Sequence, residues 1–455
     1  MNRPCVTLLL AAALVACGPS RPRPPINVVL IVVDTLRSDH LGPYGASRPT
    51  SPALDALAAE GTVFERAYST APWTKPSMAS LFTGLYPRGH ALRGMRRKLA
   101  DGNPTLAQVL RDRGYATAGI VSNTLLSAQA GFGRGLDVYL EDQAQGAGYI
   151  SSEGVAREAV EQLDRLAAGK KPFFLFVHFF DPHADYKRHL DVGFAKAPAG
   201  RLVGNEPQAR LRALQSSMSP EEVEFVRAVY DEEVRHTDSG IAQVLDHLRA
   251  LGRWRDTAVV VTADHGEELH DHGVFGHTRS LYDELIHVPL IVRAPGAPGA
   301  RRVKEPVSLA SLFPTVLELA GVGPVLTPSR ALAPSLVPAL DGVTTQAPSE
   351  IYSEVDFLPV DPDDPVGEVH KMAMISDSMK VILDDGSTAI ELYDLAADPG
   401  ELVDLSRSRS GLARRMAGRL QKAMQALTRV GAQSPEQQFS REELERLRSL
   451  GYVGH

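Results

Sequence analysis

Cysteine is almost missing from this chain of 455 residues: the two present, Cys5 and Cys17, both lie at the extreme N-terminus. No disulfide framework can therefore hold the body of the protein together. The longest apolar run near the start, Val6 to Val15, falls short of the ~20 residues that a membrane-spanning helix requires. Positive charge is not in excess either, the formal net charge being −7. That balance argues against a nucleic-acid binder, which carries a basic footprint. It leaves small anionic substrates open, because a local cationic cleft can exist on an acidic protein. No internal repeat is present.

What remains is an ordinary globular composition, 44% hydrophobic and 23% charged, long enough for one large α/β domain and a smaller appendage. Met1–Ala16, with Arg3 ahead of the apolar run, reads as a secretory signal. Leu14-Val15-Ala16-Cys17-Gly18 is similar to the lipobox of bacterial lipoproteins, in which the cysteine becomes the lipidated first residue. Residues 17–25 then form a Pro-rich tether. This resemblance implies a protein of the cell envelope, anchored to a membrane through lipid on Cys17 and facing the periplasm or seated on the outer membrane, which Gly18 favours.

Ile26–Val33 is an unbroken β-branched run, as in a central strand covered on both faces, and it delivers Asp34 to its C-terminal end. Pro172–Phe180 is a second such run, ending in Asp181-Pro182-His183, and Thr257–Thr262 a third, delivering Asp264-His265. Helical segments lie between them, among them one opened by Ser219-Pro220-Glu221-Glu222 and running to Gly252. Strands alternating with helices predict an α/β fold with a large, mostly parallel sheet flanked by helices. Ligands bind beyond the carboxyl ends of such strands, where these acids and histidines fall. Short alternating segments between Ile351 and Tyr393, with a tight turn at Asp385-Gly386, predict a small antiparallel β subdomain, followed by terminal helices. The boundaries expected are 26–325 for the main domain, 326–350 for a linker and 351–455 for the C-terminal subdomain.

Ala71–Gly84 (APWTKPSMASLFTG) reads as a short helix with Thr74 as N-cap, Pro76 in the first turn and Gly84 as its stop. A hydroxyl there sits in the positive field of the helix and beside unpaired N–H groups, which suits a nucleophile facing an anionic ester. Asp34, Thr74, Asp264 and His265 together offer three oxygens and one imidazole to a divalent cation. Such an ion would lower the pKa of the Thr74 hydroxyl and offset charge on the transferred group.

Ile26–Gly45, Trp73–Pro87, Val260–Glu267 (VVTADHGE) and Phe275–Val292 (FGHTRSLYDELIHVPLIV) resemble, in order, the signature blocks of the sulfatase family within the alkaline-phosphatase superfamily. The resemblance runs over roughly Ile26–Leu405. It implies a formylglycine made from a Cys-x-Pro-Ser-Arg cysteine and calcium held by three Asp and an Asn, and the chain departs at those points. Thr74 stands for the Cys, Met78 for the Arg, Thr35 for an Asp and His265 for the Asn. The sulfate-binding Lys-x-His segment reads Ser122-Asn123-Thr124, and a further lysine is Thr278. An imidazole in place of a carboxylate moves the expected metal from calcium or magnesium toward zinc or manganese. The set is similar to that of phosphoethanolamine transferases and lipoteichoic acid synthases, which pass through phospho-threonine.

The function expected is thus metal-dependent hydrolysis or transfer of phosphate esters or phosphodiesters through Thr74. The alternatives are a sulfatase using Thr74 directly and a pseudoenzyme that binds an envelope polymer or protein. His277 is the expected acid for the leaving group, Lys75 an oxyanion ligand or a structural lysine, and His183 and Asn123 substrate contacts. A second metal held by Asp181, His183 and His277 is the less favoured arrangement. His178 reads as a core histidine, His270-Asp271-His272 as a loop that merely looks like a ligand cluster, and Asp39 and His40 as structural. The expected partner is an anionic ester substrate, a glycan or a lipid, whose identity the sequence does not specify, nor does it specify the oligomeric state.

Overall fold

The chain is described by a computed structural model over residues 25–144, 151–196, 198–323, 333–343, 350–358, 367–428 and 434–449. The signal stretch, Cys17 and most of the tether lie outside the described residues. No helix among those described is long and apolar enough to cross a membrane.

The apolar runs become the centre of an eight-stranded sheet. Its strands are β1 (Asn27–Val33), β2 (Thr62–Phe64), β3 (Ala116–Ile120), β4 (Val138–Leu140), β5 (Phe173–Phe179), β6 (Thr257–Ala263), β7 (Leu290–Arg293) and β8 (Arg301–Val303). They lie in the order β8-β2-β7-β6-β1-β5-β3-β4, and β7 alone runs against its neighbours. All residues of β1, β5 and β6 are buried, with helices such as Ser152–Ala167 packed on β5 and Pro220–Ala250 beyond it. Each Val, Leu or Ile so covered contributes ~1.5–3 kcal/mol relative to exposure. Nothing less apolar than these runs could occupy the middle of a two-sided sheet.

Register sets the site. Val33 pairs with both Phe179 and Ala263, so the strands end level and Asp34 falls beside Asp264. Val32 pairs with His178, which places that ring one step back on the next strand. The stretch Thr62–Tyr68 is divided: β2 joins the large sheet, while Ala67–Tyr68 belongs to a separate three-stranded ladder. The helix Pro220–Ala250 starts as read, with Ser219 and Glu222 forming a reciprocal capping box.

Four antiparallel strands, β9 (Ile351–Phe357), β10 (Val369–Ser376), β11 (Met379–Asp384) and β12 (Ile390–Asp394), make the C-terminal sheet, covered by the helix Ser410–Leu427. The expected turn at Asp385-Gly386 is present, with Ser387 N–H donating to Asp384 O at 3.1 Å and Gly386 at φ 98°, and a second tight turn lies at Asp377-Ser378, where Ser376 pairs directly with Met379 and Asp377 adopts φ 55°. Within the stretch read as a linker, Val337–Leu340 is a helical turn whose Val337 and Leu340 are buried in the main core. β9 backs the Thr74 segment: Glu354 N–H donates to Thr70 O at 2.9 Å, Ser353 Oγ donates to Ser69 O at 2.6 Å, and Phe357 meets Trp73 edge to face.

Candidate active site

The helix Thr74–Thr83 is buried at every position. Its N-cap is Trp73 rather than Thr74, and Thr74 is the first helical residue. The helix is anchored instead by Ser77, whose Oγ donates to the Asp264 carbonyl at 2.6 Å, alongside Ser69 Oγ at 2.5 Å. That carbonyl therefore ties the helix that begins at Thr74 to the end of β6. Gly84 closes the helix in the left-handed region, φ 70°, as its position requires.

Around Thr74 the strand ends assemble a buried ring of donors. His265 Nδ1 faces the Gly266 carbonyl at 2.8 Å, so it carries the ring proton and leaves Nε2 bare. Nε2 lies 3.4 Å from Thr74 Oγ1 and 3.5 Å from both Asp34 Oδ1 and Asp264 Oδ2. Asp264 Oδ1 accepts from its neighbour's backbone, His265 N–H at 2.9 Å, and from Thr35 N–H at 3.3 Å. Thr35 holds a left-handed φ of 52°, rare for a β-branched residue, with its carbonyl accepting from Tyr230 OH at 2.7 Å. Strained backbone of this kind concentrates at functional sites.

His178 belongs to this ring, against the expectation of a core histidine. Its Nε2 lies 3.7 Å from Asp34 Oδ2, and donor atoms of Asp34, His178 and Asp264 fall within 4.8 Å of one another. Asp34 Oδ1, Asp264 Oδ2 and His178 Nε2 are buried with no hydrogen-bond partner. Buried polar atoms are normally paired, so three orphans aimed at one space fit a cation. Burial and then mutual repulsion push Asp34 well above the usual carboxylate range; burial raises Asp264 too, and lowers His178 to about 3. Asp34, Asp264, His265 and Thr74 would hold the ion, with His178 as a further nitrogen. Two imidazoles among the donors suit zinc or manganese better than calcium.

Two expected contacts have other tasks. Asn123 Nδ2 donates to Asp34 Oδ2 at 2.7 Å while its Oδ1 caps Leu125 N–H at 2.9 Å, so it orients a carboxylate rather than reaching for substrate. Lys75 is fully buried; its ammonium donates to Met95 O and Arg97 O, each at 2.8 Å, and to Gln437 Oε1 at 2.7 Å. All three of its N–H groups are used there, which makes it a structural lysine, buried rather than exposed, that fastens the C-terminal segment. Asp39 pairs with Arg37 at 2.8 Å and His40 with Asp231 at 2.5 Å, away from the ring.

A second group of side chains borders the first. His277 Nδ1 meets Glu267 Oε1 at 3.0 Å, and the His277 ring lies 4.7 Å from that of His265 and 5.0 Å from that of His183. His183 Nδ1 faces the Ala184 carbonyl at 2.7 Å, and its ring packs on Phe180. Burial, His265 and Arg212 hold His277 well below its ordinary value, and burial followed by His277 lowers His183 to about 3. Both rings are therefore neutral. Glu267 was given no role on the sequence, although a carboxyl two residues beyond a metal-ligating His is the signal that could have found it. Asp181 does not join this group: its Oδ2 accepts from Ser152 N–H at 3.0 Å and Ser152 Oγ at 2.7 Å, capping the helix that starts there.

A doubly wound sheet whose level strand ends present two acids, two histidines and a helix-borne hydroxyl defines a hydrolase of the alkaline-phosphatase superfamily. The Sulfatase family model matches residues 26–322, and the chain belongs to that family. An uncharacterized sulfatase of Escherichia coli K12, YidJ, is 24% identical over 429 residues, covering 83% of this chain and 82% of its own. Among solved structures, BT4656 in complex with D-glucosamine-2-N,6-O-disulfate superposes with a TM-score of 0.73 at 19% identity, covering 89% of this chain and 98% of its own. The phosphonate monoester hydrolase of Agrobacterium radiobacter gives 0.71 at 23%, covering 89% and 96%. The chain is thus a sulfatase-family enzyme with a site able to hold a metal ion, and the expected fold is present in both its parts.

Proposed function

We propose that this enzyme cleaves phosphate-type esters, mono- or diesters, with Thr74 Oγ as the covalent nucleophile. The observation that carries this reading is the position of that hydroxyl: first residue of a buried helix, 3.4 Å from a bare imidazole nitrogen and beside two buried carboxylates. Threonine cannot become the aldehyde hydrate of a formylglycine enzyme, so any covalent chemistry here runs through an alkoxide. A divalent ion, when bound, supplies the positive charge that makes this hydroxyl acidic and offsets charge on the transferred group.

The residues supply the rest. The N-terminus of the helix Thr74–Thr83 attracts the anionic oxygens of the ester. Thr74 Oγ forms a bond to phosphorus, the bond to the departing alkoxide breaks, and the Thr74 proton ends on that alkoxide. Water then attacks phosphorus, and its proton returns to the Thr74 oxygen as the phosphoryl group leaves. His277, held well below its ordinary pKa by burial and steadied by the Nδ1 contact with Glu267, suits accepting the proton of the attacking water rather than the donation expected from the sequence. His183, beside it, contacts the substrate.

A sulfate ester is the second reading, favoured by family membership and by the sulfated sugar in the BT4656 structure. The phosphonate monoester hydrolase neighbour favours the first. Lipid on Cys17 would place the enzyme in the cell envelope, where anionic glycans and lipids are at hand. The test compares the protein with Thr74→Ala, loaded with zinc or manganese, on aryl phosphate mono- and diesters and on an aryl sulfate. Thr74-dependent phosphoester turnover, with a phosphorylated Thr74 peptide by mass spectrometry, is expected. Turnover of the sulfate alone would install the second reading, and unchanged activity in Thr74→Ala would overturn both.

A further inference from the structure

The segment between the Asp264-His265 strand end and His277 carries a second convergence of ligating side chains. Glu268 opens a two-stranded ladder, Glu268–Leu269 with Phe275–Gly276; His272 lies in its loop; Glu284 lies in the helical turn Asp283–Ile286. One donor atom from each falls within 4.8 Å of the other two. Glu268 is 2% exposed, and the hydrogen bond described for its carboxyl group comes from a neutral hydroxyl, Ser280 Oγ, at 3.0 Å. The nearby buried cation, Lys380, is committed to Asp283 and Glu401, each at 2.9 Å, and neutralises neither Glu268 nor Glu284. Two largely buried carboxyl groups thus share one imidazole.

The imidazole is held as a metal ligand would be. His272 Nε2 points at the Glu401 carbonyl at 3.4 Å, and the ring stacks on Tyr282 with centroids 3.8 Å apart and planes 14° apart. Nδ1 therefore faces the carboxyl groups, 2.6 Å from Glu284 Oε1. A backbone carbonyl behind one nitrogen, orienting the other, is the usual outer-shell arrangement of a ligating histidine. Glu284 also lines a cavity of about 660 Å³ between the main domain and the loop Leu395–Gly400, which gives an ion a route in.

We propose that Glu268, His272 and Glu284 form a second, structural site for a zinc-class divalent ion, which fastens the hairpin leading into His277 to the helical turn Asp283–Ile286. The ion takes His272 Nδ1 and one oxygen from each carboxylate, with water completing the shell, and the protons on Glu268 and between His272 and Glu284 leave to solvent. Ligands at ~2.1 Å in a tetrahedral shell sit ~3.4 Å apart, so Glu284 and Nδ1 would separate by under ~1 Å as the ion replaces their shared proton. Glu268 pairs with Gly276 in the ladder. An ion at Glu268 therefore fixes the residue preceding His277, while ligating neither Thr74 nor substrate. The proposal stands or falls independently of the chemistry assigned to Thr74.

The experiment counts zinc per chain in the full-length protein by elemental mass spectrometry after equilibration with zinc and gel filtration. Two equivalents are expected in the parent. One is expected in the double variant Glu268→Gln/His272→Ala and one in Asp34→Asn/Asp264→Asn. A Glu268→Gln/His272→Ala protein that keeps the parent stoichiometry overturns the proposal, as does an Asp34→Asn/Asp264→Asn protein that binds none. Should the first double variant fail to fold, crystals of the parent grown with zinc decide the matter. An anomalous peak among Glu268, His272 and Glu284 supports the site, and a peak at Asp34 and Asp264 alone refutes it.

Discussion

Replacing Asp34 by Asn is expected to make the metal-free protein more stable and the zinc-loaded protein less so. In the parent, Asp34 Oδ2 accepts from Asn123 at 2.7 Å, whereas Oδ1 is buried without a partner. An amide can keep its oxygen toward Asn123 and turn its NH2 to the Oδ1 position, 3.5 Å from His265 Nε2. That nitrogen is a bare acceptor, because Nδ1 carries the proton toward Gly266 O. The substitution thus removes one of two repelling carboxylates and gives the imidazole a donor. A buried charged group left unsatisfied costs ~1–3 kcal/mol or more, so a gain of about 2 kcal/mol is expected for the variant in EDTA at pH 8.

Zinc reverses the order. At 100 times its dissociation constant the ion stabilises the parent by ~2.7 kcal/mol, while a neutral amide at position 34 forfeits most of that. The pH dependence has a definite sign. Asp34 titrates above the ordinary range in the folded state. The metal-free parent therefore binds more protons folded than unfolded, and loses stability as pH rises from the ordinary Asp value through the raised one. The difference between parent and variant should shrink toward pH 4 and be widest in alkali. Urea unfolding followed by circular dichroism, with EDTA or zinc, reads all of this. A variant less stable than the parent in EDTA at pH 8, or equal stabilisation of both by zinc, would refute the reasoning.

Lys75→Met should cost about 3 kcal/mol, because Met95 O, Arg97 O and Gln437 Oε1 lose their donor together; the folded fraction should keep the parent KM, and a raised KM would restore Lys75 to the substrate. His178→Phe keeps the ring volume in β5 and removes Nε2, so zinc affinity by calorimetry should fall at least ~10-fold, and no change would return His178 to packing alone. His277→Asn should lower kcat by ~10²–10⁴-fold with zinc content unchanged, whereas Glu267→Gln, which loosens the Nδ1 contact, should cost less and shift the pH profile. Glu233, raised to about 7 by burial and then Asp181, accepts from Lys187 N–H at 2.6 Å and faces His189, itself raised once Glu233 outweighs burial. Both shifts give stability that is present at low pH and lost as pH rises through 7, so unfolding free energy should drop by about 1–2 kcal/mol between pH 6 and 8, a slope that Glu233→Gln abolishes.

What could be read from the sequence followed from periodicity. Three predominantly apolar runs had to be central strands, and their C-terminal residues had to sit at one edge, so Asp34, Asp264 and His265 could be placed without coordinates. His178 could not be placed by the same logic, because an apolar run reveals burial and not register. Its proximity to Asp34 depends on Val32 pairing with His178, a fact about the alignment of two strands far apart in the sequence. The available clue was energetic: an imidazole inside a two-sided strand must find a partner, and a partner at a strand end is an acid. Lys75 and Asn123 show the opposite limit. Lys75 stands next to Thr74 in sequence, yet a helix turns adjacent side chains about 100° apart, so Lys75 leaves the site that Thr74 enters, while Asn123, expected to face substrate, turns its amide to Asp34. Ser77, three residues on from Thr74, returns toward the strand end and takes the Asp264 carbonyl. The Thr-x-Pro-Ser spacing thus has a physical meaning that a helix cap does not convey: one residue presents its hydroxyl to the buried acids and imidazoles, and the next on that face binds the helix to the strand end that carries Asp264.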